Sequence, residues 1–295
     1  MGKSGLLMFP QKRRWFTIVL VVLLLITSIT FIHNDIDLNL LFYTSKNLKI
    51  LPNVIGTISF EEKRQTVKVC CLVLTTPSNF LTRAKAVNET WGKRCDGLYF
   101  ITEMEKKSMS TYDLPIAPIP NIISGYWHLT LKSRLAFIYA YENLYSKYDW
   151  FIKADDDTYI IVEHLKDFLY EQNASQPITF GYNFKVLVKQ GYHSGGASYV
   201  LSKESLKRFF EETRKSNSVC KVDGGSEDVE IAACLRLQGV YPGDALDKEN
   251  KELFHPLNFI AHFAGKFPEW MFSYAKYPLQ SMTHLLLRII PEVEM

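Results

Sequence analysis

The sequence predicts an α/β domain whose central sheet is mostly parallel. Short apolar runs alternate along the chain with longer stretches in which apolar residues recur at helical spacing, a pattern typical of strands connected by helices. With 295 residues, the chain is long enough for one large domain or two small ones. Its 47% hydrophobic and 22% charged residues are ordinary for a globular protein and argue against a disordered chain.

Three apolar runs that end at turns or polar residues are predicted as strands: 67–76, 97–102 and 149–154. The segments with helical spacing are predicted as helices: 81–95, 129–148, 160–172 and 224–240, with a further helix beginning after Ser202. Ser202 is a suitable N-cap residue, although the residues after it do not complete a capping box. Residues 108–125 contain three prolines and are predicted as a loop.

Residues 15–32 are predicted as a membrane-spanning helix because they carry no charge and, at ~1.5 Å per residue, extend roughly 27 Å. Lys12, Arg13 and Arg14 precede this segment and two aspartates follow it, which places the N-terminus in the cytosol and the rest in a lumen. A cleaved signal peptide is the alternative, but its apolar region is usually shorter. The predicted organisation is a cytosolic tail (1–14), a signal-anchor (15–32), a stem (33–66), a folded domain (67–280) and a C-terminal tail (281–295).

Two further features agree with a lumenal location. The tripeptides at Asn88 and Asn173 are potential N-glycosylation sites. None of the five cysteines lies in a C-x-x-C pair, which argues against a zinc ribbon. An oxidising lumen permits two disulfides and one free thiol, and the residues alone leave the pairing open. The formal net charge of +3 is too small to indicate nucleic-acid binding.

Asp155, Asp156 and Asp157 form the first candidate site. Adjacent carboxylates repel one another, so a cation is the simplest reason to keep three of them between two apolar segments. They follow a predicted strand, and in open α/β sheets ligands bind beyond the carboxyl ends of the strands. Two such carboxylates together with a diphosphate suit Mg²⁺ or Mn²⁺. The alternative is a helix N-cap, for which one aspartate is sufficient.

Two other motifs belong with this site. Gly195 and Gly196 let the backbone approach a ligand closely, or form an ordinary hairpin turn. Glu227 and Asp228 open a predicted helix, where acidic residues complement the helix dipole. A carboxylate near a cation site is also a candidate general base, which takes a proton from an incoming hydroxyl.

Four motifs in order, "WFIKADDDTYIIVEHLKDFL", "VKQGYHSGGASYVLSKESLKRF", "SEDVEIAACL" and "LFHP", resemble the core 1 β1,3-galactosyltransferase family. The resemblance covers residues 67–280 and implies a Golgi type II membrane enzyme with a GT-A fold. It further implies an inverting transfer of galactose, in β1,3 linkage, from UDP-galactose to O-linked N-acetylgalactosamine (GalNAc) on glycoproteins. The implied cofactor is Mn²⁺, or Mg²⁺ in its place, and the implied assembly is a homodimer.

The resemblance also implies roles for individual residues. Asp155 and Asp157 match metal ligands, and Asp228 matches the catalytic base. The implied donor-binding residues are Lys132, Arg134, Asp155, Asp156, Gly195 and Gly196, and the implied acceptor-binding residues are Trp270 and Tyr274. The implied disulfides are Cys71–Cys95 and Cys220–Cys234, with Cys70 as the free thiol.

The C-terminus departs from the family pattern. Beyond Pro278 the family has a Cys–Cys pair and then a histidine that completes the metal site. Here the pair is absent, Glu294 stands near the position of that histidine, and nothing aligns His284 with it. A metal site short of one ligand would bind the ion more weakly. The alternative function is therefore a non-catalytic lumenal binding protein, or a chaperone for a related glycosyltransferase.

Overall fold

The computed structural model describes residues 60–103 and 113–279. The predicted cytosolic tail, the signal-anchor at 15–32, most of the stem and the tail at 281–295 lie outside the described residues and stay predictions. Of the helices within the described ranges, none is long and apolar enough to cross a membrane.

The strands in these ranges are β1 (Val69–Leu74), β2 (Gly97–Ile101), β3 (Trp150–Asp155), β4 (Ile178–Gly181), β5 (Asn183–Phe184), β6 (Tyr192–His193), β7 (Tyr199–Ser202) and β8 (Tyr241–Pro242). The α-helices are α1 (Phe60–Thr66), α2 (Lys85–Glu89), α3 (Leu129–Leu144), α4 (Val162–Tyr170), α5 (Lys203–Thr213), α6 (Glu227–Leu237), α7 (Phe259–Ala264) and α8 (Glu269–Tyr274). Shorter helical turns are the 3₁₀ turns Pro77–Asn79, Trp91–Arg94, Tyr126–His128 and Gly195–Ala197, and the π-helical turn Phe80–Ala84.

Six strands form the main sheet in the order β2–β1–β3–β7–β4–β8. β1 is parallel to β2 and β3, and β4 is parallel to β8, whereas β7 is antiparallel to both of its neighbours. The predicted mostly parallel α/β sheet is therefore confirmed, and it fits a GT-A type domain. β5 and β6 form a separate antiparallel pair.

The central strands β1 and β3 have helices on both faces, which explains why their sequences are continuous apolar runs. One face packs against α3, α5 and α6 through a cluster that includes Phe137, Phe209 and Leu235. The other face packs against α4 and the segment before β2 through Leu165 and Trp91. Because both faces are covered, the carboxyl edge of the sheet is the place where polar side chains can meet a ligand.

The helix predicted for 81–95 is divided into three short pieces. Thr90 interrupts it, with φ −114° and ψ −109°, and its hydroxyl donates back to the Ala86 carbonyl. The indole Nε1 of the buried Trp91 donates to the Thr158 carbonyl at 3.0 Å. The interruption thus lets Trp91 hold the turn that follows β3.

Helix α1 lies in the segment predicted as stem. Arg64 of α1 donates to Asp167 of α4 through Nε and Nη2, each at 2.7 Å. No periodic pattern in the sequence indicated this helix, because the contact that fixes it comes from a distant part of the chain.

Both disulfides are confirmed. Cys71–Cys95 joins β1 to the turn before β2, and Cys220–Cys234 joins the loop before α6 to α6 itself. Cys70 is a buried free thiol, and burial raises its pKa. The second disulfide restrains the loop that leads into the acidic start of α6.

Candidate active site

The three aspartates lie in the turn that follows β3. Asp155 ends β3, and the Thr158 N–H donates to its carbonyl at 3.1 Å. Helix α4 begins only at Val162, with Ile161 at its N-cap position, so the N-cap interpretation of the aspartates is wrong. Because the chain turns here, each carboxylate has its own surroundings.

Asp156 is buried and holds the neighbouring loop. Its Oδ2 accepts hydrogen bonds from Thr75 Oγ1 at 2.7 Å and from Asn79 Nδ2 at 2.8 Å. Both donors follow β1, so Asp156 connects the ends of two adjacent strands. The structure thus gives Asp156 protein partners, and its contact with a donor stays a prediction.

Asp157 is the open carboxylate, with 62% of its side chain exposed. The Nη1 atom of Arg83, on the π-helical turn, lies 3.3 Å from Asp157 Oδ2 and 3.5 Å from Asp156 Oδ1. An ion pair this exposed typically contributes no more than ~1 kcal/mol. A divalent cation could therefore replace the guanidinium at Asp157.

Lys153, which sequence reasoning did not single out, lies at the centre of the site. It precedes Asp155 by two positions in β3, and residues at that spacing share a face of the sheet. Its side chain is 3% exposed. The ammonium lies 2.7 Å from Asp155 Oδ1 and 3.7 Å from Glu227 Oε2, and it donates to the Gly195 carbonyl at 3.3 Å. A lysine within an apolar strand, next to carboxylates, was the signal present in the sequence.

The charges in this cluster shift one another's pKa values. Burial lowers the pKa of Lys153, but the carboxylates of Glu227 and Asp155 together outweigh burial, and the net shift is upward. Burial raises the pKa of Asp155; attraction by Lys153 opposes this shift, and repulsion by Glu227 and Asp157 adds to it. Asp155 is therefore a carboxylate whose charged form an additional cation would stabilise.

Glu227 and Asp228 begin α6, and their carboxylates contact other parts of the chain. Glu227 is buried and accepts a hydrogen bond from the Tyr199 hydroxyl at 2.6 Å. Asp228 Oδ2 accepts from the Gly195 N–H at 3.0 Å, and Oδ1 accepts from the Val229 N–H at 2.9 Å. Asp228 is only partly buried, so its carboxylate remains open to a ligand.

Gly195 makes room for this contact, and Gly196 lies on the open side. A Cβ atom at Gly195 would lie 3.2 Å from Glu227 Oε2, a tight distance. At Gly196 the nearest atom would be the Pro256 carbonyl oxygen at 3.7 Å, an ordinary distance, and Gly196 is exposed. The first glycine therefore lets the acidic start of α6 approach the turn.

Lys132 and Arg134 do not lie in the same region. Lys132 Nζ donates to the Thr75 carbonyl at 2.7 Å and to Glu103 Oε2 at 2.8 Å, beyond the carboxyl ends of β1 and β2. Arg134 Nη2 donates to the Thr213 carbonyl at the end of α5, at 3.1 Å. Residues two apart on a helix point to different sides. The structure therefore brings Lys132 to the predicted site and does not bring Arg134 there.

Trp270 and Tyr274 of α8 form an aromatic pair whose ring centroids are 5.3 Å apart. Both rings contact Phe184 of β5, at centroid distances of 5.7 and 6.0 Å. Trp270 is 48% exposed, which suits stacking on the apolar face of a sugar. Burial raises the pKa of Tyr192 to about 12, and Asp228 and Tyr274 both add to the shift. The ring of Tyr192 also packs against Phe184, at a centroid distance of 5.3 Å.

The charges around the turn after β3 and the start of α6 fit a divalent cation that binds with a diphosphate. Two cationic side chains, Lys153 and Arg83, contact this group of carboxylates. The carboxylates number five: Asp155, Asp156, Asp157, Glu227 and Asp228. Within residues 60–103 and 113–279, no group of three or more His, Cys, Asp or Glu side chains is arranged to hold a metal ion by itself. Mg²⁺ sites often use one or two carboxylates plus substrate phosphates, so Asp155 and Asp157 fit a metal that arrives with a nucleotide.

The two potential glycosylation sites differ in exposure. Asn173 is exposed in a turn, where its Oδ1 accepts from the Ser175 N–H at 2.9 Å. Asn88 is partly buried in α2, and its amide donates to the Asp113 carbonyl at 3.3 Å. Modification of either asparagine stays a prediction.

A protein-family model described as Fringe-like matches residues 65–243. The chain belongs to the Fringe-like family. The matched range of this Fringe-like chain includes the whole six-stranded sheet, the three aspartates and the start of α6. Trp270 and Tyr274 lie beyond it.

Three relatives of this Fringe-like chain carry transferase or synthase names. Glycoprotein-N-acetylgalactosamine 3-beta-galactosyltransferase 1 of Xenopus laevis is 38% identical over 246 residues, which are 79% of this chain and 66% of that protein. Chondroitin sulfate synthase 3 of Mus musculus is 28% identical over 182 residues, 57% of this chain and 20% of that protein. Beta-1,3-glucosyltransferase of Mus musculus is 23% identical over 184 residues, 61% of this chain and 36% of that protein. The chain thus spans about two thirds or less of the length of these relatives, and the first of them confirms the resemblance to the core 1 β1,3-galactosyltransferase family.

Proposed function

We propose that this chain is an inverting galactosyltransferase, which moves galactose from UDP-galactose in β1,3 linkage to O-linked GalNAc on glycoproteins. The observation that carries the proposal is the position of Asp228, whose carboxylate is held by the Gly195 N–H. The Gly195 carbonyl contacts the Lys153 ammonium, which also contacts Asp155. A candidate base and a candidate metal ligand are thus connected. The 38% identity to the Xenopus laevis relative supports the choice of transferred sugar, linkage and acceptor.

A single displacement describes what these residues would do. Asp228 takes the proton of the acceptor hydroxyl while the oxygen of that hydroxyl attacks the anomeric carbon of galactose. The new C–O bond forms on one face of the sugar and the bond to UDP breaks on the other, so the configuration inverts. Mn²⁺, or Mg²⁺ in its place, would neutralise the charge that develops on the departing diphosphate.

The remaining residues would bind and orient the two substrates. Asp155 and Asp157 would hold the metal, and Asp157 has the exposure that this role needs. The turn at Gly195 and Gly196 would line the donor sugar. Lys132, which contacts the Thr75 carbonyl beyond the carboxyl end of β1, would contact another part of the donor. Trp270 would stack on the GalNAc ring, with Tyr274 beside it.

The proposal includes a location and an assembly. The chain would be a single-pass type II membrane protein of the Golgi, with residues 15–32 as its signal-anchor and its catalytic domain in the lumen. The two disulfides support a lumenal location because such bonds persist in oxidising compartments. A homodimer is proposed from the resemblance to the family.

The test is sugar transfer by the full-length chain in detergent. UDP-galactose, UDP-glucose and UDP-GalNAc would be compared as donors, and an α-linked GalNAc glycopeptide would be the acceptor, with Mn²⁺ or with a chelator. We expect transfer from UDP-galactose that the chelator abolishes, a β1,3 product by NMR, and a large loss of activity in Asp157→Ala and in Asp228→Asn. Glu230→Gln is the matched control, because Glu230 lies on the first turn of α6 but pairs with Lys221 at 2.8 Å. No transfer by a folded chain, or equal transfer with the chelator, would contradict the proposal.

A non-catalytic binding protein is the second candidate, and Arg83 is the observation that favours it. Its contact with Asp157 supplies a cation from the chain itself, which in this case would replace the metal permanently. Binding of Mn²⁺ with UDP separates the two functions. A transferase binds both, and Arg83→Gln tightens or preserves the binding of Mn²⁺. The non-catalytic protein binds neither Mn²⁺ nor UDP, with or without the Arg83→Gln substitution.

A further inference from the structure

The contacts of Lys153 indicate a role in the site besides metal binding and base catalysis. Its buried ammonium contacts three groups that belong to different elements: Asp155 at the end of β3, the Gly195 turn before β7, and Glu227 at the start of α6. Each of these groups lies in, or next to, one of the motifs that carry the proposed chemistry. A single side chain therefore joins all three motifs.

The contacts continue from Lys153 to the proposed base. The Gly195 carbonyl accepts from Lys153 at 3.3 Å, and the N–H of the same residue donates to Asp228 Oδ2 at 3.0 Å. A displacement of the Gly195 turn would therefore move the hydrogen bond that orients Asp228. Asp155, at 2.7 Å from the same ammonium, would move relative to Asp228 as well.

The sheet register holds this arrangement in place. Lys153 of β3 is paired with Tyr199 of β7, and the Tyr199 hydroxyl donates to Glu227 at 2.6 Å. Glu227 then lies 3.7 Å from Lys153, which closes a ring of contacts between two strands and the start of α6. Sites built on strands and helices in this way hold their geometry better than sites built on loops.

We infer that Lys153 is a positioning residue, which sets the separation and orientation between the metal-side carboxylate Asp155 and the base Asp228. The inference rests on the proposed function, because it assigns Lys153 a task within that reaction. Asp155 and Asp228 come from different elements. Asp155 would hold the metal on the side of the leaving diphosphate, and Asp228 would lie next to the attacking hydroxyl on the opposite face of the sugar. The contact of Lys153 with both elements keeps the position of Asp155 fixed relative to Asp228.

A purely structural ion pair is the competing explanation, and Lys166 provides the comparison. Lys166 Nζ lies 2.6 Å from Asp96 Oδ2, and its side chain is 11% exposed. Asp96 also accepts from the N–H of Val69, at the beginning of β1, so this pair lies at the opposite edge of the sheet. Lys166→Met therefore removes a partly buried lysine–aspartate ion pair at a distance from the site.

The experiment uses the full-length chain and four variants: Lys153→Met, Lys153→Arg, the double variant Lys153→Met/Glu227→Gln, and Lys166→Met. Glu227→Gln in the double variant removes the buried carboxylate that the loss of Lys153 leaves without its cation. For each variant, thermal unfolding, kcat and KM for transfer, and hydrogen–deuterium exchange of the metal-free protein are measured.

We expect Lys153→Met to lower kcat roughly 100-fold with both KM values changed less than about threefold, since small misplacements at a reacting centre have effects of this size. Exchange should become faster in a peptide covering residues 192–198 and remain unchanged in β1. The double variant should regain the unfolding temperature but not kcat. Lys153→Arg keeps the charge but not the three contacts, and it should lose at least about tenfold in kcat. Lys166→Met should lower the unfolding temperature alone.

Two results would overturn the inference: kcat within about threefold of the wild type in any Lys153 variant, or kcat that returns together with stability in the double variant. If Lys153→Met does not fold, the double variant and Lys153→Arg decide in the same way. If the wild-type chain transfers no sugar, the proposed function fails separately. The exchange measurement then decides about Lys153, because unchanged exchange at residues 192–198 would overturn its positioning role.

Discussion

Helices α5 and α6 each have a serine at the N-cap and an acidic first turn, but the side chains make different contacts. The hydroxyl of Ser202, at the N-cap of α5, accepts the Ser205 N–H at 3.0 Å. Glu204, in the first turn of α5, pairs with Arg208 of the same helix at 2.8 Å. The acidic side chain at this helix start therefore stabilises the helix itself, while the Ser202 hydroxyl caps the helix and also donates to the Gln176 carbonyl at 2.6 Å.

At the start of α6 the same residue types contact other elements. Ser226 makes no side-chain capping bond. Glu227 contacts Tyr199 and Lys153 instead, and Asp228 contacts the N–H of Gly195. A serine followed by acidic residues is thus not evidence of a site in itself. What distinguishes α6 is that its acidic side chains are fixed by residues outside the helix.

The largest difference between the two helix starts should appear in activity. Asp228→Asn should lower kcat by about 10²–10⁴-fold, because an amide cannot accept the proton of the acceptor hydroxyl, while the fold is retained. Glu204→Gln, at the start of α5, should leave kcat unchanged. Initial rates at saturating donor and acceptor, with circular dichroism as the folding check, provide the measurement. Equal rates for the two variants would remove the functional distinction between the helices.

The free energy of unfolding should depend on pH because of a buried histidine next to α6. His193 of β6 borders a small cavity there, together with Asp228 and Ile231. Burial lowers the pKa of His193 to about 3, and the positive charge of Arg236 adds to this shift. Between that value and the usual pKa of about 6.5, the unfolded chain binds a proton that the folded chain does not. The free energy of unfolding should therefore decrease as the pH falls from 6.5, by ~3 kcal/mol at pH 4.

Urea unfolding of the wild type and of His193→Gln between pH 4 and pH 7 measures this contribution. In the variant, the free energy of unfolding should change much less between pH 7 and pH 4 than in the wild type. His164→Gln, in the exposed part of α4, is the control and should keep the wild-type slope. If His193→Gln and the wild type show the same slope, His193 is protonated equally in both states and the assignment is wrong.

Tyr199→Phe tests the contact that holds Glu227. The change removes the hydroxyl that donates to Glu227 at 2.6 Å and leaves a buried carboxylate with one partner fewer. Loss of a hydrogen bond to a charged group should lower the free energy of unfolding by about 2 kcal/mol. Tyr145→Phe, on the partly exposed end of α3, is the control and should have little effect. A Tyr199→Phe protein as stable as the wild type would show that Lys153 alone satisfies Glu227.

The smallest effect concerns the two N-cap serines. Ser202→Ala should lower the free energy of unfolding by about 1–2 kcal/mol, because its buried hydroxyl accepts the Ser205 N–H and donates to the Gln176 carbonyl. Ser226→Ala should lower it by less than about 0.5 kcal/mol, because no capping bond is lost. Chemical denaturation of both variants gives the two values. Equal losses would mean that α6 is capped like α5 and that the comparison does not hold.

Much of the fold follows from local patterns. The apolar runs predicted β1, β2 and β3 within two residues, the helical spacing predicted α3, α4 and α6, and Ser202 as an N-cap residue predicted the start of α5. The short strands β4, β5 and β8 were not predicted, because two to four residues carry no usable periodicity. The helix at 81–95 was predicted as continuous, but Thr90 interrupts it and Trp91 donates to the Thr158 carbonyl, a contact that no local pattern reports.

The sequence by itself determined the class of fold, the order of the motifs and, through the family resemblance, both disulfides. The tertiary structure alone decided which aspartate is buried and which is open, that Arg134 lies away from Lys132, and that Lys153 joins Asp155 to the start of α6. The physical reason is that periodicity reports the neighbours of a residue along one element, whereas these outcomes depend on sheet register and on helix packing between residues far apart in the chain.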